Sequence, residues 1–159
     1  MKFLILAVLV AGAYASMDAN EAKLVRNSWN QVKKNEVDIL YTIFKDNSDI
    51  QAKFPQFAGK NLDSIKGTSD FALHASRIVS LVSQYTTLLG DDGNMGAITA
   101  LFNEMGDNHK ARGVSLGQFG EFKNSLMNYM KAHTTWGDNY AAAWNDAFDI
   151  MFGVVGKRL

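Results

Sequence analysis

The sequence predicts an all-α fold of seven or eight helices. Apolar residues recur at i, i+3, i+4 and i+7 along most of the 159-residue chain, whereas strand-like alternation is scarce. Pro55 is the only proline, and polar or Gly-rich punctuation separates the periodic stretches. No internal repeat, low-complexity tract or linker interrupts the pattern.

The elements follow in order. The first 15 residues, MKFLILAVLVAGAYA, combine Lys2, an apolar run over Phe3 to Val10, and a small-x-small site at Ala13-Tyr14-Ala15. They read as a secretory signal peptide rather than an anchor, since a membrane span needs roughly 20 apolar residues. One domain, residues 16–159, is expected after it. A first helix starts at Asp18, where Glu21 three residues on completes a capping box. Leu24, Val25, Ser28, Trp29 and Val32 share its inner face. A second helix covers about 37–45, with Leu40, Ile43 and Phe44 inward.

The aromatic stretch AKFPQF follows, halted by Pro55 because the residue before proline disfavours α geometry. A long helix is expected over about 64–88. The loop GDDGN leads to a shorter one over about 97–108, with Ile98, Leu101, Phe102 and Met105 on one side. It ends at His109, ahead of a turn at Gly113 and a cap at Ser115. Leu116, Phe119, Phe122, Leu126, Tyr129 and Met130 give the next helix its apolar face. After HTTWGDN, a last helix over about 141–155 turns Trp144, Phe148, Met151, Phe152 and Val155 inward.

Composition closes off several chemistries. There is no cysteine, which excludes disulfides, thiol catalysis and cysteine-held metals. No nucleophile elbow, phosphate loop, dinucleotide fingerprint or His-Glu-x-x-His zinc motif occurs. Sixteen basic residues balance sixteen acidic ones, and removing the leader costs only Lys2. Nothing in that balance calls for a nucleic acid or an anionic membrane. It permits self-association without requiring it, so monomer and homodimer stay open.

Three histidines remain. His133 lies in the polar stretch KAHTTWGD and reads as a surface residue. His74 shares a helix face with Phe71, Ala75, Ile78, Leu81 and Val82, which is apolar apart from that imidazole. Alone, it would read as a core histidine satisfied by a backbone carbonyl. His109 ends the shorter apolar helix 35 residues later, and two helices joined this way can face each other across a gap. A histidine–carboxylate metal site lacks an acidic residue on these faces. Two histidines beside an aromatic cluster, with Arg77 one turn from His74, fit a gap that holds a ligand.

The motifs KFPQF, HASRIV, NHKARGV and YMKAHT, with Trp29 in VRNSWNQV, make the chain resemble a globin. The resemblance covers essentially the whole of residues 16–159. It is strongest to the secreted haemoglobins of chironomid midge larvae, which also carry signal peptides. It implies a globin fold enclosing haem b, with His109 as the proximal ligand to iron and His74 as the distal histidine. Phe54 would stack on haem with Phe57 as its companion, and Phe71 would join them. Ile78 would crowd the bound gas, and Arg77 would reach a haem propionate or swing toward the ligand. Met105, Val114, Phe119 and Phe122 are the further contacts implied. Two features depart from the usual pattern. Ser48 stands where most globins start a helix with proline. The His74–His109 interval is also a few residues long, an excess expected around GDDGNMG.

The implied function is reversible binding of dioxygen for transport or storage in extracellular fluid, the haemolymph. Carbon monoxide and nitric oxide are further ligands, and the reading is a non-enzyme. A haem redox enzyme, such as a nitric oxide dioxygenase or a peroxidase-like globin, is the alternative. A haem-free secreted carrier of hydrophobic ligands is a third class. A titrating His74 would make affinity pH-sensitive near neutrality.

Overall fold

The computed structural model describes residues 17–159, and the proposed leader lies outside that range. The described chain is helical, with no strand. Helix α1, Ala19–Val32, begins as expected: Asp18 accepts from the backbone of Asn20 and Glu21, and the Glu21 side chain accepts from the Asp18 backbone N–H. Helix α2 is Glu36–Asp46, and α3, Ser48–Gln51, is a single turn that starts at Ser48 without proline. Turns then lead to α4, Leu62–Ile65, and α5, Ser69–Leu88.

The expected single helix over 64–88 is therefore two helices. Thr68 is extended, with φ −83° and ψ 153°, and its hydroxyl accepts from the Phe71 N–H. A residue capping the next helix cannot also continue the previous one, so the break falls there.

A 3-10 turn at Asp92–Asn94 lies in the long interval between the two histidines and precedes α6, Met95–Lys110. Helix α6 is longer at both ends than the sequence suggested, so His109 sits inside its last turn. Ser115 and Gln118 form a second capping box and start α7, Leu116–His133. His133 is the exposed last residue of that helix rather than part of the turn beyond it. Its ring stacks on Tyr129 at 4.1 Å between centroids. Helix α8 is Asp138–Val155.

Packing follows the apolar faces. Helix α1 lies against α5, α7 and α8; α2 against α5 and α7; and α6 against α5 and α8. Trp29 and Trp144 meet edge to face where α1 crosses α8, 6.3 Å apart. Both indoles find acceptors there, the Trp29 N–H at the Ser83 hydroxyl and the Trp144 N–H at the Ser28 hydroxyl. Satisfied in this way, two large polar-edged rings are buried without an orphaned donor. Tyr85 similarly donates its hydroxyl to the Ala147 carbonyl, joining α5 to α8. This frame leaves α5 and α6 converging beside α2, α7 and α8 on an interior space.

Candidate functional site: an apolar cavity with two imidazoles

That space is a cavity of about 700 Å³. Pockets that enclose drug- or cofactor-sized molecules span roughly 300–1,000 Å³. Helix α5 contributes His74, Arg77 and Ile78; α6 contributes Met105 and His109; and Val114, Phe119 and Phe122 follow. Phe54 enters from the turns after α3. His74, Ile78, Met105, Phe119 and Phe122 among them lie on apolar helix faces that the periodicity marked.

Phe54 is central to the arrangement. Its ring lies 4.5 Å from that of His74 and 6.1 Å from that of His109, so one side chain reaches both imidazoles. Phe119 comes within 5.4 Å of His109 on another side. Phe57 and Phe71, expected as direct contacts, do not line the cavity. Both are fully buried behind it, packed on Phe44 and on each other at 5.7–6.0 Å. They back the wall that Phe54 and Phe44 present.

The two imidazoles differ in their hydrogen bonding. His109 Nδ1 lies 2.8 Å from the Met105 carbonyl, which can only accept, so Nδ1 carries the proton. The Nε2 lone pair of the neutral ring is then free. His74 is held by rings, those of Phe44, Phe54 and Phe57, and no hydrogen bond engages its nitrogens among the described residues. Burial pushes the His74 pKa down to about 4, helped by the positive charges that His109, Arg77 and Arg112 can carry. Burial also lowers that of His109, against the opposing pull of the Met105 carbonyl. Both rings are neutral near pH 7, the state in which an imidazole can ligate a metal or donate a single N–H.

The donor set fits haem. One neutral imidazole has a free Nε2 and an anchored Nδ1–H, the usual arrangement of a metal-ligating histidine. Around it the wall is apolar and aromatic, as a porphyrin face requires. Arg77 and Arg112 are exposed at the rim, with the Arg112 guanidinium 5.8 Å over the Phe54 ring. Two guanidiniums there suit the carboxylates of such a cofactor. No group of three or more histidine, aspartate or glutamate side chains that could hold a metal ion occurs among the described residues.

Sequence reasoning missed part of this wall. Leu40, Ile43 and Phe44 of α2, and Trp144, Ala147, Phe148 and Met151 of α8, also line the cavity. Several had been assigned to inward helix faces, but a cofactor wall and a packed core share one apolar signature. Arg112 had a usable signal, being a cation three residues past His109.

Comparison with known proteins agrees with this geometry. A family model described as Globin matches residues 37–155. Globin CTT-VIIB-7 of Chironomus thummi piger is 55% identical, the match covering all of this chain and 99% of that one. Globin CTT-II beta of Chironomus thummi thummi is 52% identical over the full length of both. Among solved structures, a haemoglobin component (TA-VII) from Tokunagayusurika akamusi superposes with a TM-score of 0.88 at 41% identity. That superposition covers 91% of this chain and 97% of the other.

Proposed function

The chain belongs to the globin family, and on that premise we propose that it carries or stores dioxygen, using His109 to hold haem b and His74 to hold the gas. The protein binds dioxygen reversibly through haem. The observation that carries the residue assignment is the pair of neutral imidazoles in one apolar cavity, only one of them anchored by a backbone carbonyl. When bound, haem would supply the ferrous iron that gives the cavity its affinity for dioxygen.

The protein's own residues do the rest. The Met105 carbonyl fixes the His109 ring through Nδ1 and leaves Nε2 available as a ligand. His74, neutral and surrounded by rings, offers one N–H to a polarised diatomic ligand. A net hydrogen bond of that kind is worth ~0.5–1.5 kcal/mol. Dioxygen gains more from it than carbon monoxide, which develops less negative charge; nitric oxide is a further ligand of the same cavity. Ile78 narrows the space around the ligand. Phe54, Phe119, Phe122, Met105 and Val114 supply the apolar wall that keeps water out. Arg77 and Arg112 at the rim take the haem carboxylates.

The working place proposed is extracellular fluid, on the strength of the leader at residues 1–15 with the globin domain following at 16–159. No described helix is long and apolar enough to cross a membrane. The alternative, a haem redox enzyme such as a nitric oxide dioxygenase, is distinguished from the carrier reading by sustained turnover with a physiological reductant. The test is the visible spectrum of the purified protein, reduced with dithionite and then exposed to oxygen. Reversible conversion from a five-coordinate ferrous spectrum to an oxygenated one supports the proposal. A six-coordinate reduced spectrum makes His74 an iron ligand instead, and absence of haem uptake refutes the reading.

A further inference from the structure

Between α3 and α4 the chain carries Phe54 and Phe57 through residues 52–61 as a series of turns. Its internal bonds are short-range: the Phe57 and Ala58 N–H groups donate to the Phe54 carbonyl, and the Lys60 N–H to the Phe57 carbonyl. Gly59 sits at φ +71°, and a Cβ there would meet nothing within 4 Å. Nothing packs against the loop at Gly59; its apolar hold is the burial of Phe54 and Phe57 against Phe44, and its backbone turns need a polar one. Turns of this kind open easily unless something fastens them.

Gln51, the last residue of α3, does so. Its side chain is buried, at 8% exposure. Its Nε2 donates to the Phe57 carbonyl and to the Lys60 carbonyl, each at 2.9 Å. Both partners are acceptors, so the group between them must offer two N–H donors, which an amide does without charge. Glutamate at this place has no donor when ionised, and leucine has none at all. The loop is thereby tied to its own starting point, with Phe54 enclosed between the two ends.

We infer that Gln51 is a positioning residue for haem, acting through the loop that carries Phe54. The inference rests on the haem-binding reading above and adds a residue that touches neither haem nor gas. Phe54 reaches both imidazoles, so the place of its ring sets the width of the space between them. Loss of the amide frees that wall while leaving α5, α6 and their histidines intact.

The test uses Gln51→Leu and the near-isosteric Gln51→Glu, each with two readouts. In the haem-free protein, trypsin cleavage after Lys53 and Lys60 should rise about tenfold in both variants, as expected for two lost hydrogen bonds. Cleavage after Lys23 and Lys33 in and beside α1 should stay at the wild-type rate. In the haem-loaded protein, transfer of haem to an apomyoglobin acceptor should be several-fold faster than in wild type. Wild-type rates in both readouts overturn the inference. Faster cleavage at all four lysines together also overturns it, because the effect is then on the whole fold. Failure of the wild-type protein to take up haem refutes the globin function instead, and the protease readout still decides whether Gln51 holds the loop.

Discussion

His109 Nδ1 donates to the Met105 carbonyl across 2.8 Å, one turn earlier on the same helix. That carbonyl lies within α6, which continues to Lys110, so the ring N–H is taken up by an acceptor that has a second lone pair beside the one used in the helix. The bond fixes the tautomer of the ring and holds it to its own helix. His109→Ala should retain no haem through repeated gel filtration, whereas the wild type should emerge with its Soret band. A variant that keeps the same band would remove His109 from the role of iron ligand.

His74 has aromatic neighbours on several sides and no polar partner among the described residues. Replacing it by leucine keeps the packing and deletes the N–H. The dioxygen dissociation rate of His74→Leu, measured by stopped flow, should rise about two- to tenfold, the equivalent of one net hydrogen bond. Carbon monoxide release should change less. Equal effects on both gases would point to altered packing rather than a lost donor.

The pH response also follows from burial. A histidine on an exposed helix titrates near 6.5, and the sequence alone suggested an affinity sensitive to pH around neutrality. Within the cavity the His74 pKa falls to about 4. Oxygen affinity should then be flat between about pH 6 and 8 as far as His74 is concerned. The same shift acts on folding. Between about 6.5 and 4 the unfolded chain binds a proton that the folded chain refuses, so the stabilisation is complete above about 6.5 and lost on acidification to about 4. This linkage is on the order of 3 kcal/mol for a full shift. Urea midpoints of the haem-free protein should drop between pH 7 and 4.5, and His74→Leu should flatten that drop. Parallel curves for the two proteins would mean that His74 stays solvated in the fold.

Much of this architecture is legible in the sequence because local signals coincide with helix starts. Asp18 with Glu21, and Ser115, cap α1 and α7 where the pattern says they should, and the structure adds Gln118 to the second cap. Thr68 was less informative, since threonine can sit inside a helix or cap one, and only the neighbouring backbone decides. Helix α3 has four residues, too few for any period to show. The two site histidines stood out because an imidazole on an apolar stripe is chemically odd. Gln51 did not, because its partners lie six and nine residues ahead in an aperiodic loop. Its role exists only once that loop has folded back. Phe57 and Phe71 show the converse: the globin resemblance marked them for the cavity, and packing placed them one layer behind it.

The core that backs the site offers a further test. Ser28 is fully buried on α1, accepts the Trp144 indole N–H at 2.9 Å, and donates its hydroxyl to carbonyls within its own helix. Alanine fits the space and improves helix propensity, which favours the variant by a few tenths of a kcal/mol. Against that, the Trp144 N–H is left buried without an acceptor, a penalty of about 1–3 kcal/mol. The penalty wins, so Ser28→Ala should lower the unfolding free energy of the haem-free protein by about 1–2 kcal/mol. Ser28→Ala with Trp144→Phe should cost less than the two single changes added together, because once the indole is gone there is no donor left to strand. Strict additivity in that double-mutant cycle would show that the two side chains contribute independently.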